Sequence, residues 1–130
     1  MIENLDPKKA WDLLQTSSKA VLIDVRTAIE HGFVGHPSGA IHVAWKEFPG
    51  MQLNQNFVAQ VEQIVGDKTR PVLLLCRTGV RSVEAAKALE AAGFQHLVNI
   101  VEGFEGALDA NKHRGNIDGW RFHGLPWQQS

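Results

Sequence analysis

The sequence predicts an α/β domain built on a mainly parallel β-sheet with helices on both faces. Two short apolar runs, at residues 21–23 and 71–75, are typical of buried strands, and residues 97–101 are predicted to form another strand. Segments with apolar residues at helical spacing separate these runs. Strands that alternate with helices in this way favour βαβ units and therefore parallel strand pairing.

Two helices are expected in the first half of the chain. Asp6 and Pro7 open the first helix, because aspartate is a favourable N-cap and proline fits the first helical position. Asn54 or Asn56 caps the second helix, in which apolar residues recur at helical spacing from Phe57 onward.

The remaining elements follow from glycine positions and apolar spacing. Residues 27–53 are rich in glycine and proline, so turns are expected there, with a brief strand near residues 41–43. Residues 79–92 are predicted to be a helix that Gly93 ends. A weaker helix is expected over residues 104–113.

The length and composition fit one globular domain. The chain has 130 residues, of which 44% are apolar and 21% charged. We expect a single domain over residues 1–130, with residues 115–130 as a C-terminal tail that packs on it, because exposing Trp120 and Trp127 would be costly.

The charge balance and the N-terminal sequence restrict the expected partners. Thirteen basic and fourteen acidic residues give a net charge of -1, which argues against general nucleic-acid binding. No apolar run reaches the roughly 18 residues that a membrane-spanning helix needs. The N-terminus lacks the pattern of a secretory signal, so we expect a cytoplasmic protein that contacts neither nucleic acid nor membrane.

Cys76 is the only cysteine of the chain, which excludes an intrachain disulfide and a CxxC-type zinc site. It directly follows the apolar run 71–75, at the sheet edge where open α/β proteins bind ligands. Arg77, Arg81 and the amino terminus of the next helix bring positive charge, and Gly79 lets several backbone N–H groups converge on one anion. This setting is typical of a reactive thiolate rather than of an inert core thiol.

Other polar residues have structural interpretations. Asp24 and Arg26 follow a buried strand, which favours a buried ion pair or a turn cap over a catalytic role. His31, His36 and His42 are spaced by five and six residues, so they do not share one helix face as a metal site would require. We therefore expect no metal, and we interpret His36 as a hydrogen-bonding residue of a turn.

The loop Cys76–Ser82 stands with other segments in a fixed order along the chain. These segments are Asp24–Arg26 ahead of Glu30, Gly35–Ile41, Val98–Gly103, and a tail with Gly119–Trp120 and Gly124–Trp127. Together they resemble the single-domain rhodanese-like sulfurtransferases. The resemblance covers nearly the whole chain and implies a three-layer sandwich, in which helices flank a mainly parallel sheet of about five strands.

Three positions depart from the pattern of that family. Pro37 stands where isoleucine is usual, Phe104 replaces the second glycine of a common pair, and Leu108 stands where tryptophan is frequent. These positions are interpreted as structural, so the departures concern packing. Cys76, which inactive relatives often lack, is present.

The resemblance implies sulfur transfer by double displacement through a persulfide on Cys76. The thiolate would attack a small sulfur donor such as thiosulfate, and cyanide, a thiol or a protein sulfur acceptor would then remove the sulfur. Backbone N–H groups of the loop would bind the substrate sulfur, and the two arginines would attract the anionic donor. The predicted substrate-binding residues are Arg77, Thr78, Gly79, Val80 and Arg81. No cofactor is expected, and because the chain has no second cysteine, the acceptor must be external.

Several alternatives stay open at this point. Arg77 and Arg81 could instead be solvated or bound to a nearby carboxylate, and Trp45 and Phe48 either line the substrate pocket or pack in the core. The chain could also be a sulfur-relay or protein-binding module with little small-molecule turnover. A cysteine-dependent phosphatase or arsenate reductase is a weaker alternative, because the loop here has C-x4-R spacing and those enzymes use C-x5-R.

Overall fold

The structure is a computed structural model that describes residues 2–130; Met1, the first residue of the predicted domain, lies outside the described residues. The strands are β1 (Ile2–Leu5), β2 (Val21–Asp24), β3 (His36–Pro37), β4 (Ile41–His42), β5 (Lys46–Glu47), β6 (Gln52–Leu53), β7 (Val72–Leu75), β8 (Leu97–Ile100) and β9 (Trp127–Gln128). The helices are α1 (Pro7–Thr16), α2 (Phe57–Val65) and α3 (Arg81–Ala91), and a single π-helical turn covers Glu30–Val34.

Five strands form one parallel sheet in the order β1-β8-β7-β2-β4. The remaining strands form two small antiparallel pairs, β3 with β9 and β5 with β6. The predicted mainly parallel sheet of about five strands is thus confirmed. Its order places β7 at the centre, between β8 and β2, so the residue that follows β7 has a strand end on either side.

Apolar side chains bury both faces of the sheet. On one face, Phe57 of α2 and Leu89 of α3 belong to a continuous buried cluster. On the other face, Ala10 of α1 packs in a second cluster with Phe104 and Trp120. The side chains of β7 alternate between the two clusters, as the pleat of a strand requires. The predicted arrangement of helices over both sheet faces is confirmed.

The helix ends follow the local sequence signals in part. The Asp6 side chain accepts a hydrogen bond from the Lys9 N–H at 2.9 Å, so the predicted N-cap of α1 is confirmed. Asn56 is the N-cap residue of α2, but its side chain makes no capping hydrogen bond. Helix α3 begins at Arg81 rather than at Gly79, because Gly79 has a φ of +101°.

The predicted helix over residues 104–113 is wrong, since this segment forms turns. Gly103 and Gly106 have φ angles of +66° and +78°, which a right-handed helix does not allow. The amide groups of Phe104 and Glu105 donate to the carbonyls of the loop after β7 instead of to a helical turn. Strand β1, which the sequence analysis did not identify, lies at the sheet edge beside β8.

The C-terminal segment lies against the rest of the fold. The Trp120 side chain is fully buried, its indole N–H donates to the Pro126 carbonyl at 2.9 Å, and its ring meets the Trp11 ring edge-on at 5.9 Å. Strand β9, which contains Trp127, pairs with β3. Within the part of the chain that the structure describes, no helix is long and apolar enough to cross a membrane.

Candidate active site

Cys76 lies at the carboxyl end of the central strand, directly after Leu75, and its side chain is 1% exposed. The Gly79 N–H donates to the Cys76 sulfur at 3.0 Å, and the Ser82 hydroxyl oxygen lies 3.3 Å from the same sulfur. The loop between Cys76 and α3 therefore curls back over the thiol. The position of Cys76 at the end of a buried strand is the one that the sequence predicts.

The turn that follows β8 holds this loop from outside. The Phe104 N–H donates to the Cys76 carbonyl at 2.8 Å, and the N–H groups of Glu105 and Gly106 donate to the Arg77 carbonyl at 3.1 and 3.2 Å. Because β8 is the sheet neighbour of β7, the segments that leave the two strands lie close enough for these bonds. They fix the carbonyl direction of two consecutive peptides.

A third peptide of the loop is fixed in the same way, since the Asn99 side-chain N–H donates to the Gly79 carbonyl at 3.4 Å. In a trans peptide the N–H points away from the carbonyl, so the N–H groups of Arg77, Thr78 and Val80 face the opposite side of the loop. Within residues 2–130, these three N–H groups donate to no protein acceptor. Successive unpaired amides of this kind form a concave site for an anion.

Gly103 allows the close approach of this turn to the loop. An added Cβ on Gly103 would overlap the Arg77 carbonyl group and lie 2.6 Å from the Cys76 carbonyl oxygen. Any side chain there would therefore push the turn away from the loop. Gly103 lies in one of the family segments of the sequence, but its close approach to the loop was not predicted.

Arg81 is bound to a carboxylate. Its guanidinium donates two hydrogen bonds of 2.8 Å to the two oxygens of Glu30, and Glu30 also accepts bonds from the Thr27 N–H and hydroxyl. Burial raises the pKa of Glu30, but the hydrogen bonds and charge of Arg81 outweigh it, so the net pKa is lowered. The hydrogen bonds with Glu30 in turn raise the pKa of Arg81. Most of the Arg81 charge is thus balanced within the protein.

A cavity lies beside the loop, and the exposed Arg77 is one of its lining residues. No carboxylate among the described residues forms an ion pair with Arg77. The cavity has a volume of about 440 Å³. Its lining residues are Thr27, Ile29, Glu30, Val34, Phe48, Met51, Arg77, Arg81 and Glu105. Ile29 and Phe48 are 63% and 58% exposed, and Val80 on the loop is 68% exposed. Two arginines and two glutamates thus line the cavity together with an exposed apolar rim, defined here as Ile29 and Phe48.

The predicted ion pair between Asp24 and Arg26 is confirmed, and it is fully buried. Arg26 donates two side-chain hydrogen bonds to Asp24, at 2.9 and 2.7 Å, and one to the Gly35 carbonyl at 2.6 Å. Its guanidinium lies 4.6 Å from the centre of the Phe104 ring. The ion pair thus packs against Phe104, whose N–H donates to the Cys76 carbonyl, and it affects the site through this packing.

The structure brings together three histidines that their sequence spacing did not suggest were neighbours. The rings of His31 and His36 stack at 3.8 Å, and those of His31 and His42 at 4.7 Å. Their ring nitrogens lie 2.7 Å from the Asp24 carboxylate, the His31 carbonyl and the Arg26 carbonyl, respectively. These bonds agree with the interpretation of His36 as a hydrogen-bonding residue of a turn.

The two aromatic residues proposed for the pocket wall have different positions. Trp45 packs edge-on against Phe57 at 5.1 Å, beside the buried cluster under α2 and α3, so the core interpretation holds for it. Phe48 lines the cavity. Sequence reasoning missed the roles of Ser82 and Asn99, although an asparagine inside the apolar run of β8 is a signal of a specific hydrogen-bond partner.

Comparison with known proteins gives consistent relatives. The model of the rhodanese-like domain family matches residues 6–110 of the chain. The uncharacterised protein RC0915 of Rickettsia conorii is 36% identical over 134 residues, which is 98% of each chain. Thiosulfate sulfurtransferase GlpE of Haemophilus influenzae is 29% identical over 104 residues, covering 80% of this chain and 86% of that relative.

Solved structures agree with these relatives. The crystal structure of Rv0390 from M. tuberculosis superposes with a TM-score of 0.88 at 39% identity over 98% of both chains. The polysulfide-sulfur transferase homodimer of Wolinella succinogenes gives a TM-score of 0.68 at 25% identity, covering 99% of this chain and 80% of that one. The family resemblance predicted from the Cys76–Ser82 loop and the four other segments is confirmed.

We predict that Gly103→Ala destabilises the fold more than Gly39→Ala. Both glycines have positive φ angles, +66° and +84°, so alanine meets similar backbone strain of about 1 kcal/mol at each. Only at Gly103 would the new Cβ also overlap the loop, whereas nothing lies within 4 Å at Gly39. This overlap should lower the free energy of unfolding by a further amount of about 1–3 kcal/mol. Urea unfolding of both variants measures the difference, and equal losses would show that the close approach is unimportant.

The Asp24–Arg26 pair predicts a defined loss of stability in acid. Burial raises the pKa of Asp24, but the hydrogen bonds from His31 and Arg26 and the Arg26 charge lower it from 3.8 to about 2. Because the folded pKa is the lower one, the stabilisation is complete above pH 3.8 and is lost as the pH falls towards 2. The shift corresponds to a loss of about 2 kcal/mol.

The control for this prediction is Asp24→Asn, which has no carboxyl group at that position. It should be less stable near neutral pH, by about 3–5 kcal/mol, since Arg26 is left without its partner. The difference in free energy of unfolding between the wild type and this variant should shrink by about 2 kcal/mol between pH 5 and pH 2, measured by urea unfolding. A constant gap over this range would contradict the assignment.

Proposed function

The chain belongs to the rhodanese-like domain family, and we propose that it is a sulfurtransferase that carries sulfane sulfur as a persulfide on Cys76. The donor is a small anion such as thiosulfate, and the acceptor is cyanide or a thiol. One observation carries the proposal: the loop directs unpaired N–H groups to one side while a buried thiol lies at its base. The relatives named as thiosulfate and polysulfide-sulfur transferases support the same chemistry.

In the first step the Cys76 thiolate attacks the outer sulfur of thiosulfate. A bond forms between Cys76 Sγ and that sulfur, and the sulfur–sulfur bond of thiosulfate breaks, with its electron pair leaving on sulfite. The reactants carry three negative charges, and the persulfide anion and sulfite also carry three, so the step needs no proton. The N–H groups of Arg77, Thr78, Gly79 and Val80 are the donors that would hold the terminal sulfur anion.

In the second step a cyanide ion or a thiolate attacks the terminal sulfur. The bond from Cys76 Sγ to that sulfur breaks, and the thiolate of Cys76 is regenerated together with thiocyanate or a new persulfide. The acceptor must be a separate molecule, because the chain has no second cysteine.

The two arginines have different roles in this proposal. Arg77 faces the cavity without a carboxylate partner among the described residues, so it attracts the anionic donor. The charge of Arg81 is held by Glu30, and its two hydrogen bonds anchor the start of α3 to the π-helical turn. Arg81 therefore supports the cavity wall and contributes less to attraction of the donor.

A protein thiol is a second candidate acceptor, which would make the chain a sulfur relay. The supporting observation is the apolar rim of Ile29 and Phe48 at the cavity. An inorganic donor leaves this rim in water, whereas a protein that presents a thiol on an apolar surface would cover it. The cavity volume of about 440 Å³ also exceeds what a small ion fills.

We predict that incubation with thiosulfate adds one sulfur atom to the protein. Intact-mass measurement should detect the added sulfur, and cyanide should remove it with release of thiocyanate. Cys76→Ala should take up none. A chain that gains no sulfur from either thiosulfate or polysulfide would contradict the proposed function.

The rim predicts how the choice of acceptor changes. Phe48→Ser should lower the rate of sulfur transfer to a reduced thioredoxin relative to the rate with cyanide, by about fivefold, because an exposed aromatic contact is lost. Phe122→Ser, which changes an aromatic residue with 46% exposure outside the cavity lining, is the matched control and should keep the wild-type ratio. An unchanged ratio in Phe48→Ser would argue against a protein acceptor at this rim.

A further inference from the structure

A hydrogen-bonded chain of side chains runs behind the Cys76 sulfur, through the buried Ser82 and Asn99 to the exposed Asn4. The Ser82 hydroxyl oxygen lies 3.3 Å from the sulfur and 2.5 Å from the Asn99 side-chain oxygen, and the Asn99 side-chain nitrogen lies 3.1 Å from the Asn4 side-chain oxygen. Ser82 and Asn99 are 0% and 2% exposed. Solvent therefore does not compete for the two hydrogen bonds of Ser82, and their directions follow from the protein groups alone.

The orientation of the Asn99 amide follows from one fixed partner. Its nitrogen faces the Gly79 carbonyl at 3.4 Å, and a carbonyl only accepts hydrogen bonds. The amide oxygen therefore faces Ser82, and it also only accepts. The single hydroxyl proton of Ser82 must point to Asn99, so the oxygen of Ser82 turns its lone pairs towards the Cys76 sulfur.

We propose that Asn99 and Ser82 are positioning residues that keep Cys76 protonated while it carries no sulfur. Asn99 fixes the direction of the Ser82 proton, and Ser82 then accepts a hydrogen bond from the Cys76 thiol instead of donating one to the thiolate. The proposal rests on the proposed function, because it assigns this state to the sulfur-free half of the cycle. The thiol proton passes to water when the thiolate forms.

The Cys76 thiol would therefore form less thiolate between turnovers, while it carries no sulfur. The thiolate is the form that oxidises, and a chain with one cysteine has no internal thiol to reverse the damage. A persulfide has no proton on the Cys76 sulfur, so the hydrogen bond to Ser82 exists only in the sulfur-free protein. Ser82 and Asn99 thus act against the N–H groups of the loop, which favour the anion.

The test is the pH dependence of alkylation by iodoacetamide, followed by intact mass, since Cys76 is the only thiol in the chain. Ser82→Ala removes the acceptor of the thiol proton and should lower the pH of half-maximal rate by about 0.5 unit, which makes alkylation about threefold faster below that pH. Asn99→Leu frees the Ser82 proton to turn to the sulfur, so it should lower this pH further, by about one unit.

Two variants control for a purely structural effect. Asn99→Asp keeps an acceptor for the Ser82 proton and should not lower the pH of half-maximal rate. Asn4→Ala should keep the wild-type value, because the Gly79 carbonyl alone orients the Asn99 amide. Circular dichroism checks that each variant is folded, and if Asn99→Leu is not, Ser82→Ala decides alone.

A rise or no change of this pH in Ser82→Ala would overturn the proposal, since Ser82 would then donate to the thiolate or have no effect on it. A merely structural role would change the maximal rate of alkylation and leave the pH of half-maximal rate unchanged. Alkylation requires no sulfur donor, so this result stays interpretable even if the chain takes up no sulfur from thiosulfate.

Discussion

The outward anchoring of the carbonyl groups of Cys76, Arg77 and Gly79 is the constraint on which the site depends. Peptide planarity converts each fixed carbonyl into a fixed N–H on the opposite side, so hydrogen bonds outside the loop determine what the loop presents inside. All three anchors come from β8 or the turn after it, which is possible because β8 lies beside β7 in the sheet. The sheet order therefore places an anion site next to the thiol.

Positive potential at this site comes mainly from peptide groups. Arg81 shares its charge with Glu30, which reduces its effect on an anion in the cavity, and Arg77 is exposed to solvent, which screens it. The Gly79 nitrogen lies 3.0 Å from the sulfur, and the anchored carbonyl groups fix the direction of the other N–H groups of the loop. Their preorganised dipoles are thus better suited than the arginines to stabilise charge on a terminal sulfur.

The sequence predicted the features that depend on local pattern. Cys76 after an apolar run and Asp6 before a proline are examples, because strand burial and helix capping are set by neighbouring residues. It did not predict the partner of Arg81, which lies 51 positions away, because an ion pair between distant residues depends on the assembled fold. The false helix over residues 104–113 has the same origin, since its apolar spacing was helical but its amides are used by another loop.

Burial of the thiol has a consequence for the order of substrates in the proposed reaction. The Cys76 side chain is 1% exposed, so only a slender donor can bring its outer sulfur to it. Once the persulfide forms, the reactive sulfur lies about 2 Å farther out, by the length of one sulfur–sulfur bond. A bulkier nucleophile then has a shorter distance to cover to the reactive sulfur, and the apolar rim of the cavity that Arg77 lines can contact it at that stage. A small donor followed by a larger acceptor is therefore the order that this geometry favours.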